Sequence, residues 1–181
     1  MDLHLLTTAK KELLRSNADR RHPFRWFILG TRAQDGQPAL RTVIKREMDA
    51  DWDVLVYTDE RSGKVGQIKA GPEISALFYH PKKQLQIRYR GQAELIPQQT
   101  ELYQEHLQRV KSSGRLQDYS SIHPPGSPLP EKEVEYGEDL HFCLIRLQVE
   151  KLDILQLDRR QHRRARYVLN ANHWEETLLT P

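Results

Sequence analysis

The sequence predicts a mainly β (α+β) fold, a small antiparallel β-barrel with peripheral helices, on three observations. About six or seven segments are rich in β-branched, aliphatic and aromatic residues, the types that suit a pleated, half-buried surface. Short turn-forming runs join most of them, among them Gln34-Asp35-Gly36-Gln37, Met48-Asp49-Ala50-Asp51 and His80-Pro81-Lys82-Lys83. Connections this short imply antiparallel pairing, and so many strands must close or be covered to hide their edges. The chain's 181 residues suit one domain over 1–181 with a core of its own.

Each element has its own signal. Leu3, Leu6, Leu13 and Leu14 lie near helical spacing, with lysines and Glu12 between them, predicting an amphipathic helix over 2–16. Phe24 to Thr31 reads as a strand, Asp35-Gly36 as a hairpin turn, and Pro38 to Glu47 as the returning strand. Trp52 to Thr58 is the third strand. A helix follows over 64–70, with Ser62 as N-cap and Gly71-Pro72 as its stop. Glu73 to Tyr79 and Gln84 to Ile96 are strands, and Gly91 within the second marks a bulge or a close backbone approach. Pro97 opens a helix to about Lys111, with Leu102, His106 and Val110 along one face. A Pro/Ser/Gly-rich loop covers about 112–137, a length that is usually functional or mobile. Leu140 to Val149, Leu152 to Leu157, Arg166 to Asn170 and Trp174 to Leu178 resume strand character, the last two as a hairpin around Asn170-Ala171-Asn172.

Composition narrows the function. At 38% hydrophobic and 29% charged residues the chain is an ordinary folded protein. No run approaches the roughly 18 apolar residues of a membrane span, and the N-terminal stretch lacks the apolar core of a signal peptide. The single cysteine, Cys143, sits in an apolar strand pattern and reads as packing. The expected location is the cytoplasm. Eight histidines lie scattered without metal-ligand spacing, so no metal is expected. The net charge of +3 is mild, but Asp158 to Arg166 holds five arginines against one acid. Such a run serves nucleic acid, membrane or a phosphorylated ligand, or is a solvated face.

Three polar clusters recur at strand ends. In Arg41-Thr42-Val43-Ile44-Lys45-Arg46, alternation puts Arg41, Val43 and Lys45 on one face and Thr42, Ile44 and Arg46 on the other. Thr58, Ser62 and Lys64 surround a strand-to-helix turn, where orphan N–H groups and the helix dipole favour an anion. Gln86, Arg88 and Arg90 share one face of their strand. Arginine's fork is shaped for phosphate, yet each cluster taken singly also reads as a solvated strand face or a capped surface helix. The sequence carries no GxSxG, GxxxxGK[ST], HExxH or GxGxxG pattern, so a borrowed cofactor is the expected source of any reactive chemistry.

In order and spacing the clusters resemble the pyridoxamine 5′-phosphate oxidase family of FMN-binding split barrels. Arg41 to Arg46 is similar to the family's Arg-x-Val-x-x-Lys strand, Tyr57 to Lys64 to its YT(N/D)xxSxK segment, and Gln86 to Gly91 to its QxRxxG strand. Arg160-Gln-His162-Arg-Arg164, with Trp174 ten residues on, resembles the RxHxR element; the likeness covers roughly 24–96 and 150–181. It implies a six-stranded split barrel, a homodimer with FMN between subunits, and hydride transfer from a substrate to flavin N5. By the same resemblance Arg41, Thr42, Val43, Arg46, Tyr57, Thr58, Ser62, Lys64, Gln86 and Arg88 line the FMN site, with Tyr57 and Thr58 in one pocket. Arg164 and Trp174 come from the partner, and Arg160 and His162 face a small, phosphorylated substrate. Nucleic acid is not an expected ligand for a chain so nearly balanced in charge.

The chain departs from the family in four places. Arg46 replaces a lysine, and Gly63 stands where some members have a second phosphate-binding arginine. Ile154 or a neighbour stands where a tryptophan is expected. The substrate-phosphate segment is unrecognisable between Tyr103 and Tyr119, and a Pro-rich loop follows it. An FMN-binding protein without turnover (sensor, carrier or reductase) is the alternative expectation, and a non-flavin phosphate or nucleic-acid barrel is a third.

Overall fold

The computed structural model describes residues 3–129, 133–171 and 173–181. Helix α1 (Leu3–Ala18) leads through a 3-10 turn (Pro23–Arg25) into β1 (Trp26–Arg32), β2 (Pro38–Met48) and β3 (Val54–Asp59). Helix α2 (Gly63–Ala70), β4 (Glu73–His80), β5 (Leu85–Leu95) and α3 (Glu101–Ser112) follow, then β6 (Phe142–Gln156), β7 (Arg163–Asn170) and β8 (His173–Leu179). The sheet runs β3-β2-β1-β4-β5-β6-β7-β8, and a β3–β6 pairing closes the first six strands into an antiparallel barrel. This is the expected six-stranded split barrel.

Strand β6 makes the split. Its first half pairs with β3 from Phe142 to Leu147, and its second half pairs with β7 from Lys151 to Gln156. Between the two, the register against β5 shifts opposite Arg90 and Gly91. A Cβ on Gly91 would stand 1.8 Å from the Gln148 carbonyl oxygen, so only glycine allows the approach. This is the bulge that Gly91 signals. It also corrects the expectation of two strands over 140–149 and 152–157: one strand with a bulge in its partner register replaces them.

Other boundaries move for local reasons. Trp52 has φ of 73°, a left-handed turn conformation, so β3 starts at Val54. Thr100, whose hydroxyl accepts the Tyr103 N–H, caps α3, so that helix begins at Glu101 and not at Pro97. The expected loop is partly built: a 3-10 turn spans Leu116–Tyr119, and Ser121 bridges Tyr136. Asp2 of the expected first helix, Pro130 to Lys132 of the loop and Asn172 of the last hairpin lie outside the described residues.

Two apolar clusters hold the fold. The barrel interior is filled by Phe27, Leu29, Val54, Val56, Phe78, Ile87, Leu147 and Ile154, and α1 covers it with Leu5, Leu6, Ala9 and Leu13. A second cluster outside the barrel packs Tyr103 and Val110 of α3 against Leu55, Tyr119, Phe142 and Leu144.

Candidate functional site

The turn from β3 into α2 gathers three side chains. The Lys64 ammonium donates to Thr58 Oγ1 at 2.8 Å and to Ser62 Oγ at 3.2 Å, and the two hydroxyls stand 3.1 Å apart. Ser62 occupies the N-cap position of α2, but its hydroxyl makes no bond to the helix backbone. That leaves the first N–H groups of α2 without a side-chain cap, at the positive end of its dipole.

Arg41 reaches the same helix from β2. Its guanidinium donates to Thr31 Oγ1 at 2.5 Å and to Gln67 Oε1 at 2.9 Å, both neutral acceptors. Burial, and then the charge of Arg41, pulls the Lys64 ammonium below its ordinary value; burial does the same to Arg41. Neither cation is in an ion pair among the described residues. Two half-buried cations that repel one another, with two hydroxyls and a helix start beside Lys64, make a cradle for an anion. A cleft of about 640 Å³ opens beside it, lined by Gln34, Asp35, Ser62, Gly63 and Gln67.

Not every expected residue joins the cradle. Tyr57 and Thr58 were expected to line one pocket, but successive residues of a strand point to opposite faces. Thr58 faces Ser62 and Lys64, whereas Tyr57 faces α3, where its hydroxyl lies 2.6 Å from His106 Nδ1. Arg46 goes with Tyr57: its guanidinium lies 4.6 Å from the centre of that ring and donates to Tyr119 Oη at 3.4 Å. Arg46 Nε is buried with no partner in the described structure. Thr42 is exposed on the outer side of β2, and Val43 is buried in the barrel.

The C-terminal set disperses. Arg88 and Arg164 share the carboxylate of Asp153, Arg164 by two bonds of 3.0 and 2.9 Å. Gln86 is on the same face of β5 as Arg88. Arg160 and His162 are exposed in the β6–β7 turn and tied to Asp158: the Arg160 N–H donates to Oδ1, and His162 Nδ1 accepts the Asp158 N–H. Trp174 pairs with Leu169 and stands edge-on to Trp52 at 5.7 Å, whereas Arg164 pairs with Leu179. Trp174 and Arg164 therefore lie on opposite faces of the hairpin, near its two ends.

Sequence reasoning misses several residues that matter here. Thr31 and Gln67, which hold Arg41, carry no motif signal. Arg61 and Asp59, beside the cradle, pair by a fork that the turn's spacing hints at. A third set, Glu12, His22 and His80, is buried with ligand atoms within 4.8 Å of one another. Its composition suits a metal, but its hydrogen bonds do not. His22 Nδ1 accepts the Phe24 N–H and His80 Nδ1 accepts the Lys83 N–H, so both rings carry their proton on the Nε2 that faces Glu12. The Lys83 ammonium, 2.5 Å from Glu12 Oε1, already supplies a cation.

Comparison with known proteins fits this geometry. The model of the family described as pyridoxamine 5′-phosphate oxidase, FMN-binding domain, matches residues 7–97. Pyridoxine/pyridoxamine 5′-phosphate oxidase 2 of Arabidopsis thaliana is 30% identical over 146 residues, 74% of each chain. A pyridoxamine 5′-phosphate oxidase-related, FMN-binding protein of Nostoc punctiforme superposes with a TM-score of 0.74 at 25% identity, over 96% of each chain. PhzG of Burkholderia lata, solved with tetrahydrophenazine-1-carboxylic acid, shares the fold with a TM-score of 0.75 at 20% identity, over 97% of this chain and 92% of its own. On the family match and the Arabidopsis relative together, the chain belongs to the pyridoxamine 5′-phosphate oxidase FMN-binding family.

Proposed function

We propose that the protein binds FMN by its phosphate at Arg41, Thr58, Ser62 and Lys64 and acts as an FMN-dependent oxidoreductase resembling pyridoxamine 5′-phosphate oxidase. One observation carries this reading: Lys64 at the start of α2 and Arg41 against Gln67 of the same helix lie near enough for their charges to repel, and neither is in an ion pair among the described residues. Removing two cations from water without a counter-ion is costly, and a phosphate dianion offsets that cost. FMN, when bound, supplies a two-electron acceptor at N5 for hydride from a substrate carbon next to nitrogen. Lys64 and the two hydroxyls bind, Arg41 fixes the first turns of α2 through Gln67, and Gln86 offers its amide from β5. Arg160 and His162 are the proposed substrate-facing groups.

The working unit of this proposal is a cytoplasmic homodimer with the flavin between subunits. An apolar strip on the barrel's outer face supports it: Trp26 is 56% exposed and Tyr79 50%, and Ile28 and Leu40 join them on neighbouring strands. A flavin carrier without turnover is the second reading, favoured by the exposed placement of Arg160 and His162 on Asp158.

The test is the visible spectrum of the purified protein before and after FMN loading and desalting, followed by hydrogen peroxide release on adding pyridoxamine 5′-phosphate. Retained flavin bands with peroxide release are the expected result. Bands without release support the carrier, and a colourless protein after loading overturns both.

A further inference from the structure

Lys64 bonds only neutral hydroxyls among the described residues, although an acid stands near it. Asp59 ends β3, one residue after Thr58 and three before Ser62, and its side chain is 2% exposed. Its charge reaches Lys64. A buried carboxylate at that place would pair with Lys64 or repel an incoming phosphate. Among the described residues its ion-pair partner is Arg61, not Lys64. The Arg61 Nε donates to Oδ1 at 3.1 Å, Nη2 to Oδ2 at 2.7 Å, and the Arg61 backbone N–H to Oδ1 at 2.8 Å.

The same guanidinium reaches the long loop. Nη1 donates to the Ile122 carbonyl at 3.0 Å and Nη2 to the Ser121 carbonyl at 2.7 Å. Next to it, the Glu60 N–H donates to the His141 carbonyl at 2.8 Å, and the Ile122 N–H donates to the Glu135 carbonyl. Nε, Nη1 and Nη2 of the fork are all engaged, which orients the carboxylate and the two carbonyls relative to one another.

We infer that Arg61 is a positioning residue of the anion cradle: by binding Asp59 and the Ser121–Ile122 carbonyls together, it withholds that carboxylate from Lys64 and so sets the cradle's affinity for phosphate. The inference rests on the cradle proposed above, though not on flavin being its ligand. Nothing in the family motif marks position 61 for this role. The fork needs arginine, since a lysine ammonium cannot grip the carboxylate and two carbonyls in one plane.

The experiment measures inorganic phosphate, FMN and riboflavin binding to the full-length protein and its Arg61→Ala, Asp59→Asn and doubly substituted forms. Arg61→Ala is expected to weaken phosphate and FMN binding by about tenfold or more, the scale of one released charge at a partly buried site, and to leave riboflavin unchanged. Adding Asp59→Asn is expected to restore phosphate binding to within about threefold of wild type, because the pair acts as a unit. A merely structural role would weaken all three ligands and would not be rescued. Equal phosphate affinity in Arg61→Ala and wild type, or no recovery in the double variant, overturns the inference. If Arg61→Ala fails to fold, Asp59→Asn alone decides: binding at least as tight as wild type supports it, and weaker binding overturns it. A wild-type protein that takes phosphate but not FMN defeats the flavin reading and leaves this one standing; one that takes neither defeats both.

Discussion

The β3–α2 turn and the C-terminal hairpin both carry family-like motifs, but they fold to opposite effect. Between Thr58 and Lys64 a strand, a tight turn and a helix start bring three polar side chains within hydrogen-bond reach of one another. Between Arg160 and Trp174 the motif residues spread to an exposed turn, to Asp153 and to the opposite face against Trp52. A motif whose residues are separated by a turn converges by local geometry alone. One strung along a hairpin is sorted by strand parity, and its residues act together only on something outside their own hairpin.

The two regions are joined by one strand, so the largest effect is expected at the joint. β6 leaves β3 and takes up β7 beside Gly91, where an added methyl would enter the Gln148 carbonyl. Gly91→Ala is expected to cost about 3 kcal/mol, since backbone rather than a flexible side chain must move. In thermal unfolding that is a fall of roughly 6–12 °C. An unchanged melting temperature would mean that the bulge relaxes freely and that cradle and hairpin are not rigidly connected.

A smaller pair of effects separates the regions themselves. Lys64→Ala is expected to weaken FMN binding by about 1–3 kcal/mol, the range for a hydrogen bond to a charged group, with the melting temperature of the free protein little changed. Trp174→Ala should do the reverse. It removes a partly buried ring that packs on Trp52 and the core, so stability falls by about 2 kcal/mol, less than for a fully buried tryptophan. Fluorescence titration and thermal unfolding of both variants check this. FMN affinity lost in Trp174→Ala at unchanged stability would instead support the expected place of that residue at the flavin of the partner subunit.

The same contrast explains what the sequence reveals. The barrel is legible because strand composition, turn residues and Gly91 each act locally and agree. The cradle is legible because Thr58, Ser62 and Lys64 lie within seven consecutive residues. Arg41 is found as a cation, but the Thr31–Gln67 pair that aims it depends on where α2 docks against β1, which no short-range pattern encodes. The Glu12–His22–His80–Lys83 cluster is hidden for the same reason, its members coming from α1, the turn before β1, the end of β4 and the β4–β5 turn. Tyr57 and Thr58, adjacent in the motif, face different ways because a motif records adjacency, not face.

The smallest expected effect concerns pH and asks which cations hold the phosphate. FMN's phosphate is already dianionic above about pH 7. Lys64 binds it as an ammonium, and burial together with Arg41 places its titration below the ordinary 10.5. FMN affinity should therefore decline as pH rises through that lowered value, and this decline should be absent from Lys64→Ala, whose affinity is weaker throughout. Arg164, whose guanidinium is held above its ordinary value by bonding to Asp153, keeps its charge throughout. If the C-terminal arginines carried the phosphate, affinity would stay flat. A melting curve separates this decline from unfolding, because the buried groups that titrate nearby move stability in opposite directions. Buried Lys45 is pushed down to about 8 from 10.5, chiefly by desolvation and then by Arg25, so the fold prefers it neutral. That contribution is absent below about 8, grows as pH rises and is complete above 10.5. Burial pushes the Cys143 thiol up to about 11 from 9.0, so its contribution is lost as pH rises above about 9. The free protein should therefore melt higher from about pH 8 to 9 and gain little beyond, and a melting curve run beside each titration reads stability and FMN affinity separately.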